Sequence, residues 1–159
     1  MDTARPFPAD RELVLHRILD APRDKVFRCW TSAELLSQWF TPKPWTIPVA
    51  DMDFHPGGHN HADMHGPDGE TSLVRHVWLE IVRNEKIVFT DAFSRAWEPS
   101  EHPFIVAIVT FADAGPGRTD YRAAVRHFSV ADTKRHEDMG FFAGWGAVTD
   151  QLEALARTL

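Results

Sequence analysis

The C-terminal segment of this chain, KRHEDMGFFAGWGAVTDQLEALARTL (residues 134–159), has a different hydrophobic period from the sequence before it. Its large apolar residues recur at alternating steps of four and three, the spacing of one stripe along an amphipathic helix. Gly140, Gly144 and Gly146 lower helix propensity by roughly 1 kcal/mol each relative to alanine. We therefore expect one long C-terminal helix that kinks at these glycines or lies close against another backbone. The stripe consists of Phe141, Trp145, Val148, Leu152 and Leu155.

The remainder of the chain consists mostly of short runs with the composition of β-strands. A first run at 12–19 precedes two short helical patterns, PRDKVFRCW and TSAELLSQWF, and six further runs follow with turn residues between them. Because links this short exclude the crossovers of parallel strands, we expect an antiparallel meander. The predicted fold is α+β, with the order β-α-α-β6-α and a seven-stranded antiparallel sheet wrapped around the C-terminal helix. The later runs cover 49–55, 58–65, 71–82, 86–93, 104–111 and 119–128.

Length, charge and cysteine content narrow the class of protein. The 159 residues suit a single domain over 1–159, with 1–10 as a poorly ordered N-terminal extension. The net charge of −6, with scattered basic residues, argues against a nucleic acid or an anionic membrane as partner. Cys29, the single cysteine, excludes an internal disulfide and is expected to be a buried small hydrophobe. The absence of a signal-like or membrane-spanning apolar run predicts a cytoplasmic protein.

Motifs spread over nearly the whole chain resemble one family. They are Ala21-Pro22 with Val26-Phe27, Trp39-Phe40, Gly57-Gly58, Met64 with Gly66-Pro67-Asp68-Gly69, Glu80-Ile81, Thr90, and Gly140-Phe141 with Gly144-Trp145 leading to Leu152. In order and spacing they resemble the activator of heat-shock-protein-90 ATPase-like family of the START-like, helix-grip superfamily. The resemblance implies a cavity between the sheet and the long helix. It implies no fixed activity, because members of the superfamily bind apolar ligands, cyclise polyketides or assist a chaperone.

The stretch FHPGGHNHADMHGPDG (residues 54–69) is rich in histidine. Strand alternation places His59, His61 and His65 on one face, together with Asp63. Imidazoles at i and i+2 could chelate zinc, but the apolar residues lie on the opposite side. The histidine face is therefore expected to be solvated, with an oligomer contact and a metal site as alternatives.

The opposite face of the same strand is expected to line the cavity. Asn60 and Ala62 stand where relatives commonly carry large apolar residues, which should enlarge the cavity and place an amide that needs a partner inside it. Tyr121, on the small apolar side of its strand, is one candidate partner. The predicted ligand-binding residues are Asn60, Ala62, Met64, Trp78, Tyr121, Phe141 and Trp145.

No motif for nucleophilic, metalloprotease or phosphate-binding chemistry occurs in the sequence, which favours a binding protein but leaves an enzyme as an alternative, and no cofactor is expected. The leading hypothesis is binding of a small apolar or amphipathic ligand in the cavity. A second is a cyclase or hydrolase using His76 or His127 as an acid–base group. A third is a chaperone-associated module, which is disfavoured because one fold consumes the whole chain. A homodimer is a further possible assembly.

Overall fold

A computed structural model describes residues 5–159, and its main feature is a seven-stranded antiparallel sheet. The strands of this sheet are β1 (Glu12–Leu19), β2 (Ala50–Met52), β3 (His59–Ala62), β6 (Arg75–Val82), β7 (Lys86–Thr90), β10 (Ile105–Asp113) and β11 (Thr119–His127). Their spatial order is β1-β11-β10-β7-β6-β3-β2. The chain enters at one edge with β1, crosses through two helices to the opposite edge, and returns strand by strand until β11 pairs with β1.

Two short ladders flank the main sheet. They are β4 (Met64–His65) with β5 (Thr71–Ser72), and β8 (Phe93–Arg95) with β9 (Glu98–Pro99). The sequence predicted single strands over 58–65 and 71–82, whereas each is divided in the structure. The β4–β5 ladder, at the tip of the hairpin that joins β3 to β6, leaves the main sheet because His65 pairs with Thr46 instead. The His65 N–H donates to the Thr46 carbonyl at 2.7 Å, and the Thr46 N–H donates to the His65 carbonyl at 2.9 Å. The sequence predicted one strand over 86–93, whereas β7 ends at Thr90 and Phe93 begins a separate hairpin of β8 and β9 that was not predicted.

Four α-helices pack against the sheet: α1 (Arg23–Thr31), α2 (Ala33–Leu36), α3 (Val130–Asp138) and α4 (Phe141–Ala156). The single C-terminal helix predicted from the sequence is in fact two helices. Gly140 separates them with a φ of 94°, in the left-handed region that glycine adopts most readily. None of the helices in residues 5–159 combines the length and apolarity needed to cross a membrane.

Polar contacts from two directions fix α4 over the sheet. On one side, Arg17 of β1 binds Asp150 at 2.7 Å, and the backbone N–H of Asp20 donates to Glu153 at 2.6 Å. On the other side, the Gln151 amide donates to the carbonyls of Trp39 and Thr41, at 3.0 and 2.8 Å. Its oxygen accepts from the backbone N–H of Lys43 at 3.1 Å. The helix is thereby held at both flanks.

The core lies between the sheet and the helices α1 and α4. The buried residues of α1 are Val26, Phe27, Cys29 and Trp30. Phe141 and Leu152 of α4 are buried, but Trp145 and Val148 between them are only half-buried. The helix stripe therefore does not close onto the sheet along its whole length. Of the predicted N-terminal extension, residues 1–4 lie outside the described residues, and Ala9–Arg11 form a short 3-10 helix.

Candidate functional site

A cavity of about 760 Å³ lies between the sheet and α4, in the part where the helix stripe does not close. Its walls are mostly apolar and rich in aromatic rings, as is usual for small-molecule sites. The aromatic lining comes from four parts of the fold and includes Trp30, Trp39, Phe40, Trp45, Phe89 and Trp145. The exposed lining residues mark the mouth of the cavity; they are Lys43, Pro44, Ser72 and Met139.

Four of the seven predicted ligand-binding residues line this cavity, namely Met64, Tyr121, Phe141 and Trp145. Asn60, Ala62 and Trp78 do not line it, although all three are fully buried. Strand alternation identified their face correctly, because Asn60 and Ala62 alternate with half-buried His59 and His61. Alternation alone does not say how far along the sheet the cavity extends, so it could not separate lining residues from core residues.

Within residues 5–159, most of the buried polar side-chain atoms without a hydrogen-bond partner lie on the cavity side of the sheet. Three of the side chains surround Phe89, with ring centroids 4.9 to 5.7 Å from it. The fourth, Asn60, is the cross-strand neighbour of His76. A buried polar group without a partner costs roughly 1–3 kcal/mol, so water or a ligand that supplied hydrogen bonds to these atoms would be stabilised there. The atoms are both amide atoms of Asn60, His76 Nδ1, Trp78 Nε1 and Trp30 Nε1, the last of which lies beside the Tyr121 hydroxyl.

His76, one of the two catalytic candidates, lines the cavity. Its ring packs against Phe40 and Phe89, with centroids 6.4 and 4.9 Å away. Burial lowers the pKa of His76 to about 4, and positive charge on His61 adds to this effect. The imidazole is therefore neutral at physiological pH, and it can donate one hydrogen bond and accept another without carrying charge.

The other catalytic candidate, His127, is buried and does not line the cavity, but it contacts a histidine that does. Its Nε2 lies 2.8 Å from Nδ1 of His136, and its Nδ1 lies 3.1 Å from the carbonyl oxygen of Arg11. Burial lowers the pKa of His136 to about 4, with smaller effects from His127 and Arg135. Sequence reasoning missed His136 as a site residue because it lies on α3, which was predicted as a continuation of the C-terminal helix.

Tyr121 is the third titratable group in the cavity wall. It is 1% exposed, and burial raises the pKa of its hydroxyl well above the ordinary value. The phenol thus stays protonated and can donate a hydrogen bond. Cys29, by contrast, is a buried residue of α1 whose pKa is raised to about 11 by burial, so it is an unreactive thiol.

The histidine face forms a second, separate cleft of about 370 Å³. His59 and His61 are neighbours there, with ring centroids 4.8 Å apart. The Nε2 of His61 lies 2.9 Å from the carbonyl oxygen of Ser94, so this nitrogen carries a proton and is not free to bind a metal. His59 Nε2 lies 3.0 Å from an oxygen of Asp51, and this contact with His59 lowers the pKa of the Asp51 carboxyl. The face is half-covered by β8 rather than fully solvated.

His65 lies apart from the other two histidines, on the separate β4–β5 ladder. Across residues 5–159, no group of three or more His, Cys, Asp or Glu side chains is arranged to hold a metal ion. His55, in the same cleft as His59 and His61, directs its Nδ1 to the Pro56 carbonyl at 2.9 Å and its Nε2 to Asp53 at 2.8 Å. These acceptors raise the pKa of His55 and favour its cationic form. The cleft is therefore built from local ion pairs.

Comparison with protein families identifies a match over residues 20–157, to the family described as Activator of Hsp90 ATPase homolog 1-like protein. Comparison with curated proteins finds no match. Among solved structures, a crystal structure of a protein from Nitrosomonas europaea has a TM-score of 0.90 and 32% identity, covering 96% of this chain and 97% of its own. A crystal structure of a protein from Rhodobacter sphaeroides has a TM-score of 0.81 at 14% identity, covering 95% of each chain. The solution structure of a protein from Arthrobacter aurescens has a TM-score of 0.78 at 20% identity, covering 94% and 88%.

Proposed function

This chain belongs to the Activator of Hsp90 ATPase homolog 1-like family and has its helix-grip fold, and we propose that it binds a small amphipathic ligand between the sheet and α4. The observation that carries the proposal is the cavity itself. Its volume of about 760 Å³ falls within the range of roughly 300–1,000 Å³ typical of ligand pockets. The expectation of a cytoplasmic protein, and that of a homodimer, remain predictions.

The chemistry of the cavity wall suits an amphipathic ligand better than a wholly apolar one. The interior presents aromatic faces, which gain most from covering a flat apolar surface. Lys43, at the mouth, is exposed and is the one charged residue other than histidine among the described lining residues. An apolar body would lie inside, and an anionic or polar end would lie beside this ammonium group.

Native mass spectrometry of untagged protein tests whether a ligand is retained from the cell. We expect an added mass in the drug-sized range that survives chelation of metals. A mass equal to one metal ion, lost on chelation and on His59→Ala with His61→Ala, would contradict the proposal and make the histidine cleft the site.

Fluorescent probes test the cavity directly, whether or not a ligand is retained. N-phenylnaphthylamine should bind the wild type saturably, with a blue-shifted emission. Gly144 lines the cavity, and a Cβ placed on it would meet nothing within 4 Å. The leucine side chain of Gly144→Leu should therefore fill cavity space. It should lower the affinity for the probe by about tenfold, which corresponds to a loss of roughly 1.4 kcal/mol of binding free energy. Ala143, next to it, is exposed, and Ala143→Leu is the matched control. Equal binding to both variants would show that the probe lies elsewhere.

Anilinonaphthalene sulfonate differs from the neutral probe by one anionic group and tests the role of Lys43. Lys43→Gln should lower the affinity for the anionic probe and leave the affinity for the neutral probe unchanged. The effect should be small and should shrink with added salt, because an exposed charge is well screened. An unchanged ratio of the two affinities would restrict the ligand class to neutral molecules.

A further inference from the structure

The pair of His127 and His136 has one arrangement of protons when both rings are neutral. The Arg11 carbonyl can only accept, so Nδ1 of His127, 3.1 Å away, must carry the proton. The Nε2 of His127 is then a bare acceptor. Because it lies 2.8 Å from Nδ1 of His136, that nitrogen must in turn be the donor. The remaining nitrogen, Nε2 of His136, is left unprotonated.

Packing holds this arrangement rigidly. The His136 ring is in edge or tilted contact with Phe104, His127 and Phe141, at centroid distances of 5.0, 5.1 and 5.0 Å. The His127 backbone carbonyl accepts a hydrogen bond from Arg11 Nε at 3.0 Å. Arg11 therefore holds both the backbone and the ring of His127. Ring rotation of either histidine would break a partly buried hydrogen bond.

The free nitrogen belongs to a residue of the cavity wall. His136 lines the cavity and is only partly buried, and its Nε2 forms no hydrogen bond with any described residue. A fixed acceptor in a mostly apolar pocket favours ligands that carry a hydrogen-bond donor over ligands that do not, since a ligand without a matching donor leaves the acceptor unpaired.

We propose that His136 is a hydrogen-bond acceptor for a hydroxyl group of the ligand, an alcohol or a phenol, and that His127 is the positioning residue that fixes its tautomer. This inference rests on the proposed function, because it assigns a ligand class to the same cavity. It makes the bound molecule an amphipathic compound with a hydroxyl group at the α3 end of the cavity.

The first test compares two probes, naphthol and its methyl ether, by isothermal titration calorimetry. The ether replaces the hydroxyl hydrogen by a methyl group, and comparing wild type with variant cancels the effect of that methyl group on binding. The ratio of the two affinities should favour naphthol in the wild type by about five- to tenfold more than in His136→Phe, the contribution of one hydrogen bond. Phenylalanine preserves the packing against Phe104 and Phe141. His16→Phe, a change at an exposed histidine on β1, should leave the ratio at the wild-type value.

The outcomes separate the two proposals. If both probes bind the wild type and the ratio is the same in His136→Phe, the hydroxyl assignment is wrong while the cavity proposal stands. If neither probe binds the wild type, the cavity proposal fails and the hydroxyl assignment falls with it.

The second test addresses His127 through the tautomer of His136. Nitrogen-15 shifts of the imidazole rings should show His136 protonated at Nδ1 in the wild type. His127→Phe should move the proton to Nε2, the tautomer that free imidazole side chains favour, and should abolish the preference for naphthol. Protonation of His136 at Nε2 in the wild type would overturn the assignment, whatever the stability of the variants.

Discussion

Asn60 is a residue whose burial is not explained by the contacts of the folded chain. It is 0% exposed, and neither amide atom has a hydrogen-bond partner among the described residues. We expect Asn60→Val to raise the free energy of unfolding by about 1–2 kcal/mol, because it removes the desolvation cost of the unpaired amide and suits a strand. Urea denaturation measures this, with Asn60→Asp as the opposite control, which should destabilise strongly. A destabilised Asn60→Val would mean that the amide contributes to folding.

His76 should make stability depend on pH. Its pKa falls from the ordinary 6.5 to about 4 on folding, so between these values the unfolded chain binds more protons than the folded one. Stability linked to this group is therefore complete above about pH 6.5 and is lost as the pH falls toward 4. His136 adds a dependence of the same sign.

The difference between wild type and His76→Gln isolates this contribution. The wild type should lose more stability than the variant between pH 6.5 and 4, as measured by urea denaturation at several pH values. Parallel curves for the two proteins would show that the ring is already hydrated in the folded state.

Substitution of Gly140 and of Gly144 by alanine, at the start of α4, should change the stability in opposite directions. Gly140 has a φ of 94°, so Gly140→Ala should cost about 1–2 kcal/mol of backbone strain although a Cβ there meets nothing within 4 Å. Gly144 lies inside the helix, and Gly144→Ala should instead gain about 1 kcal/mol from helix propensity. Thermal unfolding of the pair checks both signs. Two stabilising substitutions would mean that α3 and α4 join as one helix in solution, as the sequence pattern alone suggested.

Gln151 joins α4 to the segment that borders the cavity mouth. Replacing it by methionine, of similar length, removes its hydrogen bonds to Trp39, Thr41 and Lys43, and should cost about 2 kcal/mol. Amide hydrogen exchange at Lys43 should accelerate in parallel. Gln38→Met, which removes a solvent-exposed hydrogen bond from Gln38 to the Glu34 carbonyl of α2, is the control and should change neither quantity. Unaltered exchange at Lys43 would show that the mouth is held by other contacts.

Periodicity predicted the order of elements but not where they are interrupted. The sheet, α1 and the stripe of α4 follow from apolar spacing, because each buries one face. The division between β3 and β4 depends on the pairing of His65 with Thr46, a contact between segments distant in sequence. Strand alternation placed Met64 in the cavity wall, because alternation is a local pattern. The position of His136 could not be predicted in this way, because it depends on contacts with Phe104 and His127 that no local pattern encodes.

The molecule as a whole keeps an open space where a closed core would be more stable. Wild-type protein carries Gly144 beside a cavity of about 760 Å³, so it forgoes both helix propensity and apolar contact at that position. Such a loss persists in a protein when the space serves function. Gly144→Leu should accordingly be more stable than wild type when no ligand is present, as measured by thermal unfolding.

Ligand should reverse that ranking. A molecule that binds the folded state alone adds RT ln(1 + [L]/Kd), or about 2.7 kcal/mol at a hundredfold excess over Kd. With N-phenylnaphthylamine at that excess, the melting temperature of the wild type should rise toward or above that of Gly144→Leu, because tenfold weaker binding gives the variant only about half of this gain, roughly 1.4 kcal/mol. Ala143→Leu should respond like the wild type, because its side chain points away from the cavity. A probe that stabilised all three proteins equally would bind outside the cavity, and the open space would then be a packing defect rather than a binding site.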